Sequence, residues 1–225
     1  MNKKKTAFIT AAVFALLFIL TALLVKTVDV SAIGPDGTSI GLSSVNGPVR
    51  DFFGTSELWY KLTEWLGYAA ILIAVTFFVM GVYQLISRKS IFKVDPEIIC
   101  LGIIYVLTIA FYLFFEVFPV NFRPALMPGE TVAEASFPSS HTVLACVILG
   151  TAIILVGKYF RGNTLKTVLT TAMCAFIGLI VSGRFISGAH WLTDIIAGML
   201  LSAALIALFA GLLEIIRSVW ASRKN

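Results

Sequence analysis

Residues 184–194 read Arg-Phe-Ile-Ser-Gly-Ala-His-Trp-Leu-Thr-Asp, and they separate two long apolar runs at 167–186 and 193–216. Each run has the ~20 mainly apolar residues that a helix needs to cross a bilayer. The stretch between them holds an arginine, a histidine and an aspartate, and ionisable groups at membrane depth are costly unless they serve a function. This pattern predicts a membrane-spanning helical bundle with its chemistry at the helix ends.

The composition of the whole chain supports this prediction. Of its 225 residues, 59% are hydrophobic and 13% are charged, and the mean hydropathy is +0.96, whereas roughly a quarter of the residues of a soluble domain are charged. We therefore expect an all-α integral membrane protein, a single transmembrane domain over 1–225 built as one bundle of six helices. The six predicted spans are 7–25, 67–86, 97–118, 139–157, 167–186 and 193–216.

The positive charges lie mainly in short segments between the spans. The formal net charge is +5, which would suit a nucleic acid if the cations formed one patch in a soluble segment. Instead, twelve Lys and Arg residues flank the spans on one side of the membrane and five on the other. Because cytoplasmic flanks are enriched in these residues, we expect both termini in the cytoplasm, the segments 26–66, 119–138 and 187–192 outside, and no nucleic-acid partner.

The first span follows Lys3-Lys4-Lys5, as the apolar part of a signal peptide would. Its apolar run of 19 residues exceeds the usual 7–15 of a signal peptide. We therefore expect an uncleaved anchor, and the composition fits a bacterial cell-membrane protein.

The 26–66 segment is the longest predicted loop. Gly34-Pro35-Asp36-Gly37 indicates a turn. Apolar residues then recur at near-helical spacing and, with Trp65, predict a short helix lying in the membrane interface. These residues are Val49, Phe52, Phe53, Trp59, Leu62 and Leu66. Two roles stay open for this helix: capping the bundle, or guiding a substrate.

Polar and ionisable residues collect at the predicted outer ends of the spans. They are Glu116, Arg123, Pro124, Pro138, Ser139, Ser140, His141, Gly183, Arg184, His190 and Asp194. Because either no crossing or two crossings of the membrane separate any two of these groups, we expect them to share one face of the bilayer.

The spacing of His190 and Asp194 is i, i+4, so a helix would place them on one face, one turn apart. A carboxylate in that position accepts the proton of one ring nitrogen. The lone pair of the other nitrogen is then free to act as nucleophile or base.

The neighbouring residues suit an anion. Arg123 and Arg184 offer forked donors that match phosphate oxygens. The helix start at Pro138-Ser139-Ser140 favours a negative charge through its free N–H groups, and His141 beside it suits a general acid. Together with the His190 pair, this set favours phosphoryl transfer from an amphiphilic phosphate ester.

At these residues the chain resembles the type-2 phosphatidic acid phosphatase superfamily of membrane lipid phosphatases. The pattern of that family is Lys-x6-Arg-Pro, then Pro-Ser-Gly-His, then Ser-Arg-x5-His-x3-Asp. The matching positions here are Glu116 to Arg123-Pro124, then Pro138 to His141, then Gly183-Arg184 to His190 and Asp194. The resemblance covers about residues 60–216, with the motifs within 116–194.

The resemblance implies a role for each residue. His190 would attack phosphorus and form a phosphohistidine, Asp194 would hold His190, and His141 would protonate the leaving group. Arg123, Arg184, Ser139 and Ser140 would hold the phosphate. No metal or other cofactor is implied, and Cys100, Cys146 and Cys174 lie inside apolar spans without metal-ligand spacing. The implied partner is a lipid phosphate or pyrophosphate of the undecaprenyl pyrophosphate, phosphatidylglycerol phosphate or phosphatidate type, bound at the outer face.

Three positions depart from the family pattern: Glu116 replaces lysine, Ser140 replaces glycine and Gly183 replaces serine. A carboxylate ~5 Å from a phosphate charge is repelled by roughly 3 kcal/mol at an effective dielectric of ~20. Glu116 therefore either pairs with Arg123, turns away, or meets a cationic part of the substrate. A second hypothesis follows, in which a catalytically weakened member of the family binds a phosphorylated lipid. A transporter is disfavoured because no charged or broken-helix feature stands at mid-span.

Overall fold

The computed structural model describes residues 3–127 and 129–222, and among these residues it contains α-helices, two short 3-10 turns and no β-strand. Six helices are long and apolar enough to cross a membrane, so the predicted six-helix bundle is confirmed. The helices are α1 (Lys3–Thr27), α2 (Ser43–Phe53), α3 (Glu57–Arg88), α4 (Pro96–Val117), α5 (Ser140–Tyr159), α6 (Asn163–Ile186) and α7 (Leu192–Ser222), of which only α2 is short. Arg223 and Lys224, two of the twelve cations counted on the inner side, lie outside the described residues.

The core of the bundle is formed around α5 and α7, which are the most buried helices, while most of α3 and α6 faces outward. Gly198 lets α5 and α7 approach closely, because a Cβ at this position would lie 3.1 Å from Thr142 Cβ and 3.2 Å from the Ser139 carbonyl oxygen. At the level of Phe137, the ring of Phe18 stacks on it with centroids 6.0 Å apart, and so joins α1 to the core. In a bilayer, outward apolar side chains on the remaining faces contact lipid rather than water.

The 26–66 segment differs from the prediction of one short interfacial helix. Residues 49–53 belong to α2, which ends at Gly54 in a conformation with φ 66°. A second helix starts at once, with Ser56 as its N-cap, and Trp59 and Trp65 lie in its first turns. The apolar residues keep a near-helical spacing on both sides of the break because both segments are helical. Gly54 adopts the positive φ that ends α2 just before α3 begins.

The second span therefore begins at Glu57 rather than at residue 67. Its helix α3 has 32 residues and is about 48 Å long at 1.5 Å per residue, well over the ~30 Å of the hydrocarbon layer. The extra turns at its start lie over the ends of α5 and α6.

At the end of the bundle that is opposite to His141, ion pairs join neighbouring helices. Glu97, which is 3% exposed, receives hydrogen bonds from Lys158 of α5 and from Arg217 of α7, the latter at 2.8 and 3.0 Å. Asp95 accepts from Arg88 at 2.8 Å. Burial alone would raise the pKa of the Asp95 carboxyl, but its hydrogen bond from Arg88 and the nearby Lys158 charge hold that pKa below its ordinary value. These contacts join α3, α4, α5 and α7 at one end.

We expect Glu97→Ala to destabilise the protein, because it leaves two cations without their buried carboxylate. The expected loss is about 1–3 kcal/mol in the free energy of unfolding, measured by thermal unfolding in detergent. Glu214→Ala is the control, since this half-exposed glutamate also contacts Arg217 but contributes little. Equal losses in the two variants would contradict a structural role of the Glu97 cluster.

Candidate active site

His190 lies in the turn between α6 and α7, one residue from Trp191 and two before the start of α7 at Leu192. The prediction that His190 and Asp194 share a helix is therefore wrong. The Nδ1 atom of His190 is 3.0 Å from the carbonyl oxygen of Ser136 and 3.9 Å from the nearer carboxylate oxygen of Asp194. The Ser136 carbonyl is thus the direct hydrogen-bond partner of the imidazole.

Asp194 instead holds the turn that carries the histidine. Its carboxylate accepts the backbone N–H of Trp191 at 3.0 Å and the side-chain amide of Asn121 at 3.4 Å. An acid at the third position of a helix that reaches back to a backbone N–H stabilises the helix start. Asp194 therefore positions His190 mainly through the backbone.

The Ser136 carbonyl determines which nitrogen of His190 carries the proton. A carbonyl oxygen only accepts hydrogen bonds, so Nδ1 is the protonated nitrogen and Nε2 keeps its lone pair. Nε2 lies 3.5 Å from a terminal nitrogen of Arg184. Burial, together with the charges of Arg184 and Arg123, holds the pKa of the His190 imidazole well below its ordinary value. The ring is therefore neutral near pH 7, as a nucleophile must be.

The 119–138 segment brings Ser136 and Arg123 to this histidine. Its two ends pair in an antiparallel bridge between Phe122 and Ala135. The N–H of Arg123 donates to the Glu134 carbonyl at 2.9 Å on one side of that bridge. Pro124, which follows Arg123, is buried at the base of the segment.

His141 lies in the first turn of α5, at the same end of the bundle. Its Nε2 atom is 3.1 Å from an oxygen of Glu64 in α3. Gly67, also in α3, makes room for the ring, because a Cβ at that position would lie 2.8 Å from His141 Cδ2.

The two serines before His141 have different surroundings. Ser139 is fully buried at the N-cap position of α5, where its side chain makes no capping hydrogen bond. Its N–H donates to the Asp194 carbonyl at 3.0 Å, so this N–H is not free to bind a phosphate. The N–H of Ser140 belongs to the first turn, where helix N–H groups have no intrahelical partner. Ser140 and His141 thus remain the backbone donors of this helix start.

Two arginines face the histidines, and both are paired with carboxylates. Arg184 is fully buried and donates to Glu64 at 2.9 Å. Arg123 contacts Glu130 at 2.8 Å and Glu134 at 3.0 Å. Among the described residues, the Nε atoms of both arginines and Nδ1 of His141 are buried without a hydrogen-bond partner. The two arginine Nε–H groups are unpaired donors, which are costly to bury, and they suit an anionic ligand. In a neutral His141 the Glu64 carboxylate holds the proton on Nε2, so Nδ1 is an unpaired acceptor.

Helix α3 forms a wall of the site that the sequence analysis missed. Tyr60, Thr63, Glu64 and Gly67 follow the i, i+3, i+4, i+7 spacing of one helix face. The Tyr60 ring lies 5.0 Å from the Arg184 guanidinium, and its hydroxyl is 3.5 Å from Arg123. The only signal in the sequence was an acid, Glu64, within an aromatic stretch that had been assigned to the interface.

A family model described as the PAP2 superfamily matches residues 99–216, which is more than half of the chain. The chain belongs to the PAP2 superfamily. Its fold is similar to that of a transmembrane PAP2-type phosphatidylglycerolphosphate phosphatase from Bacillus subtilis, with a TM-score of 0.56 and 14% identity over 93% of this chain and 95% of that chain. Aquifex aeolicus LpxE gives a TM-score of 0.37 and 23% identity over 77% of this chain and 91% of that one. No curated protein sequence matches.

Two departures from the PAP2 pattern have a structural explanation. Glu116 is exposed, and among the described residues no ion pair joins it to Arg123, which contacts Glu130 and Glu134 instead. Of the three arrangements considered for Glu116, pairing with Arg123 is therefore not the one that the structure contains. Gly183 is buried against α3, because a Cβ there would lie 2.5 Å from Thr63 Cγ2 and 2.9 Å from a ring carbon of Trp59.

We expect Gly183→Ser, which restores the superfamily residue, to lower the melting temperature in detergent. The added side chain has no space between α6 and α3, and overpacking typically costs about 1–3 kcal/mol. Thr63→Ser removes the methyl group that lies nearest to a side chain at position 183. The double variant Gly183→Ser/Thr63→Ser should therefore recover part of the lost melting temperature.

Gly178→Ser is the matched control, because no described atom lies within 4 Å of a Cβ at that position. If Gly183→Ser melted at the temperature of this control, the close packing of α6 on α3 would be refuted.

Proposed function

We propose that this protein is a membrane lipid phosphatase, which hydrolyses a lipid phosphate or pyrophosphate through a phosphohistidine intermediate. The observation that carries the proposal is the Ser136 carbonyl at 3.0 Å from His190 Nδ1. It leaves the Nε2 lone pair facing Arg184, at the end of the bundle where the described motif residues lie.

In the first step, His190 Nε2 attacks phosphorus and a nitrogen–phosphorus bond forms. The bond from phosphorus to the departing oxygen breaks, and His141 donates a proton to that oxygen. The Arg123 and Arg184 guanidinium groups stabilise the charge on the remaining phosphoryl oxygens. The Ser136 carbonyl accepts the Nδ1–H of the imidazolium that forms, and the Asp194 carboxylate stabilises its charge from 3.9 Å.

In the second step, water replaces the alcohol or phosphate that has left. His141, now neutral, takes a proton from this water, whose oxygen attacks phosphorus. The nitrogen–phosphorus bond breaks, and inorganic phosphate and neutral His190 are restored. In this scheme the two arginines supply the positive charge, so we expect hydrolysis without added metal.

The position of the site supports a lipid substrate. The motif residues cluster at the ends of membrane-spanning helices, where a phosphate head group would lie while its tail stays among the helices. Substrates of the phosphatidylglycerol phosphate, phosphatidate and undecaprenyl pyrophosphate types fit this position. The similar Bacillus subtilis protein is a phosphatidylglycerolphosphate phosphatase, so phosphatidylglycerol phosphate is the first substrate of the panel to assay.

We expect His190→Ala to abolish phosphate release from this panel by purified protein in detergent with EDTA present. His141→Ala should reduce release by a factor of about 10²–10⁴, the usual contribution of a general acid. With a lipid substrate that carries ³²P in its phosphate group, the His190 variant should also fail to retain ³²P on the protein after acid-free quenching. Undiminished turnover by His190→Ala would reject the nucleophile.

We further propose that the site faces the outside of the cell membrane. This orientation rests on the Lys and Arg asymmetry of the flanks. Val132 is an exposed residue of the 119–138 segment, and Asn163 is an exposed residue at the opposite end of the bundle.

Cysteine at Val132, in a background with Cys174→Ser, should react with an impermeant thiol reagent in intact cells. Cysteine at Asn163 should react only after lysis. The reverse pattern would place the site in the cytoplasm.

Binding of a phosphorylated lipid without hydrolysis is the second candidate function. The observation that favours it is the carboxylate pairing of both arginines, because each carboxylate reduces the positive charge that is available to stabilise the transition state. Lipid binding measured on the same purified protein, together with the phosphate-release assay above, separates the two functions. A bound lipid with no released phosphate supports the second.

A further inference from the structure

Glu64 contacts two groups to which the proposed function gives a part in the reaction. Its Oε1 atom is 2.9 Å from a terminal nitrogen of Arg184 and 3.1 Å from Nε2 of His141. In the proposed reaction His141 protonates the departing oxygen and Arg184 binds a remaining phosphoryl oxygen of the same phosphate group, so that group must lie within hydrogen-bond distance of both side chains. The Glu64 carboxylate therefore occupies hydrogen-bonding groups of Arg184 and His141 that the phosphate of the substrate would need.

The surroundings of Glu64 allow it to leave this position. Its side chain is 26% exposed, whereas that of Arg184 is fully buried. It belongs to the overhanging first turns of α3, at the edge of the bundle, so rotation of the side chain toward solvent disturbs no core packing. Arg184 keeps Thr63 and the Tyr60 ring as neighbours when Glu64 moves.

We propose that Glu64 is an internal ligand of the phosphate pocket, which the phosphate of the substrate displaces and which sets the affinity of the pocket for phosphate. This inference rests on the proposed function and adds a residue outside the superfamily motifs. Two anions cannot share the same donors, since like charges in contact repel strongly at reduced dielectric. Glu64 thus weakens phosphate binding and favours release of inorganic phosphate, while it neutralises the buried guanidinium of the empty site.

The test is the affinity of the purified full-length protein in detergent for inorganic phosphate, measured by titration calorimetry. Glu64→Gln keeps the shape of the side chain and removes the charge. We expect it to bind phosphate more tightly, on the order of tenfold, as the removal of one nearby like charge predicts. Glu64→Ala should also bind more tightly and covers the case in which the glutamine variant does not fold.

Glu116→Gln is the matched control, because it removes the same charge from an exposed glutamate on α4 at the same end of the bundle. Its phosphate affinity should equal that of the unmodified protein. Unchanged or weaker phosphate binding by both Glu64 variants would overturn the proposal, as would equal tightening in the control. Because binding is measured without turnover, tighter binding combined with no lipid hydrolysis would refute only the proposed function.

Discussion

The burial of the Arg184 guanidinium is the constraint on which the site depends. A cation with no exposure to water is tolerated only when anionic and hydrogen-bonding groups surround it. Here those groups come from α3, through Glu64, Thr63 and Tyr60, and from the turn that carries His190. The need to compensate one charge therefore fixes the position of α3 over α5 and α6, and with it the walls of the pocket.

A backbone carbonyl and a carboxylate set the geometry of His190. The Ser136 carbonyl selects the tautomer of His190, and Asp194 holds the backbone of the turn rather than the ring directly. Asp194 is thus a positioning residue whose action passes through Trp191. The site is consequently sensitive to the conformation of the 119–138 segment, which supplies both Ser136 and Arg123.

The membrane spans and the convergence of the motifs were predictable, because span length and the number of crossings between motifs are properties of the sequence alone. The contact between His190 and Ser136 was not, since any residue offers a carbonyl and the sequence does not mark which one accepts. Glu64 was missed for a related reason: α3 begins ten residues earlier than the apolar run at residue 67, because Ser56 caps a helix whose first turns are partly polar. Glu116, by contrast, was identified as anomalous from the motif, but only the exposed position of its side chain shows why the charge is tolerated.

Gly67 has a consequence for sequence variation in this protein. It packs against the ring of His141, a residue that lies 74 positions later in the chain, with no space for even one methyl group. A side chain at position 67 would therefore displace the histidine ring, although no pattern in the primary structure connects the two positions. A mutational scan should find this glycine as intolerant as the reacting side chains themselves, and its spacing from Glu64 would make the pair a fourth signature for chains that share this pocket.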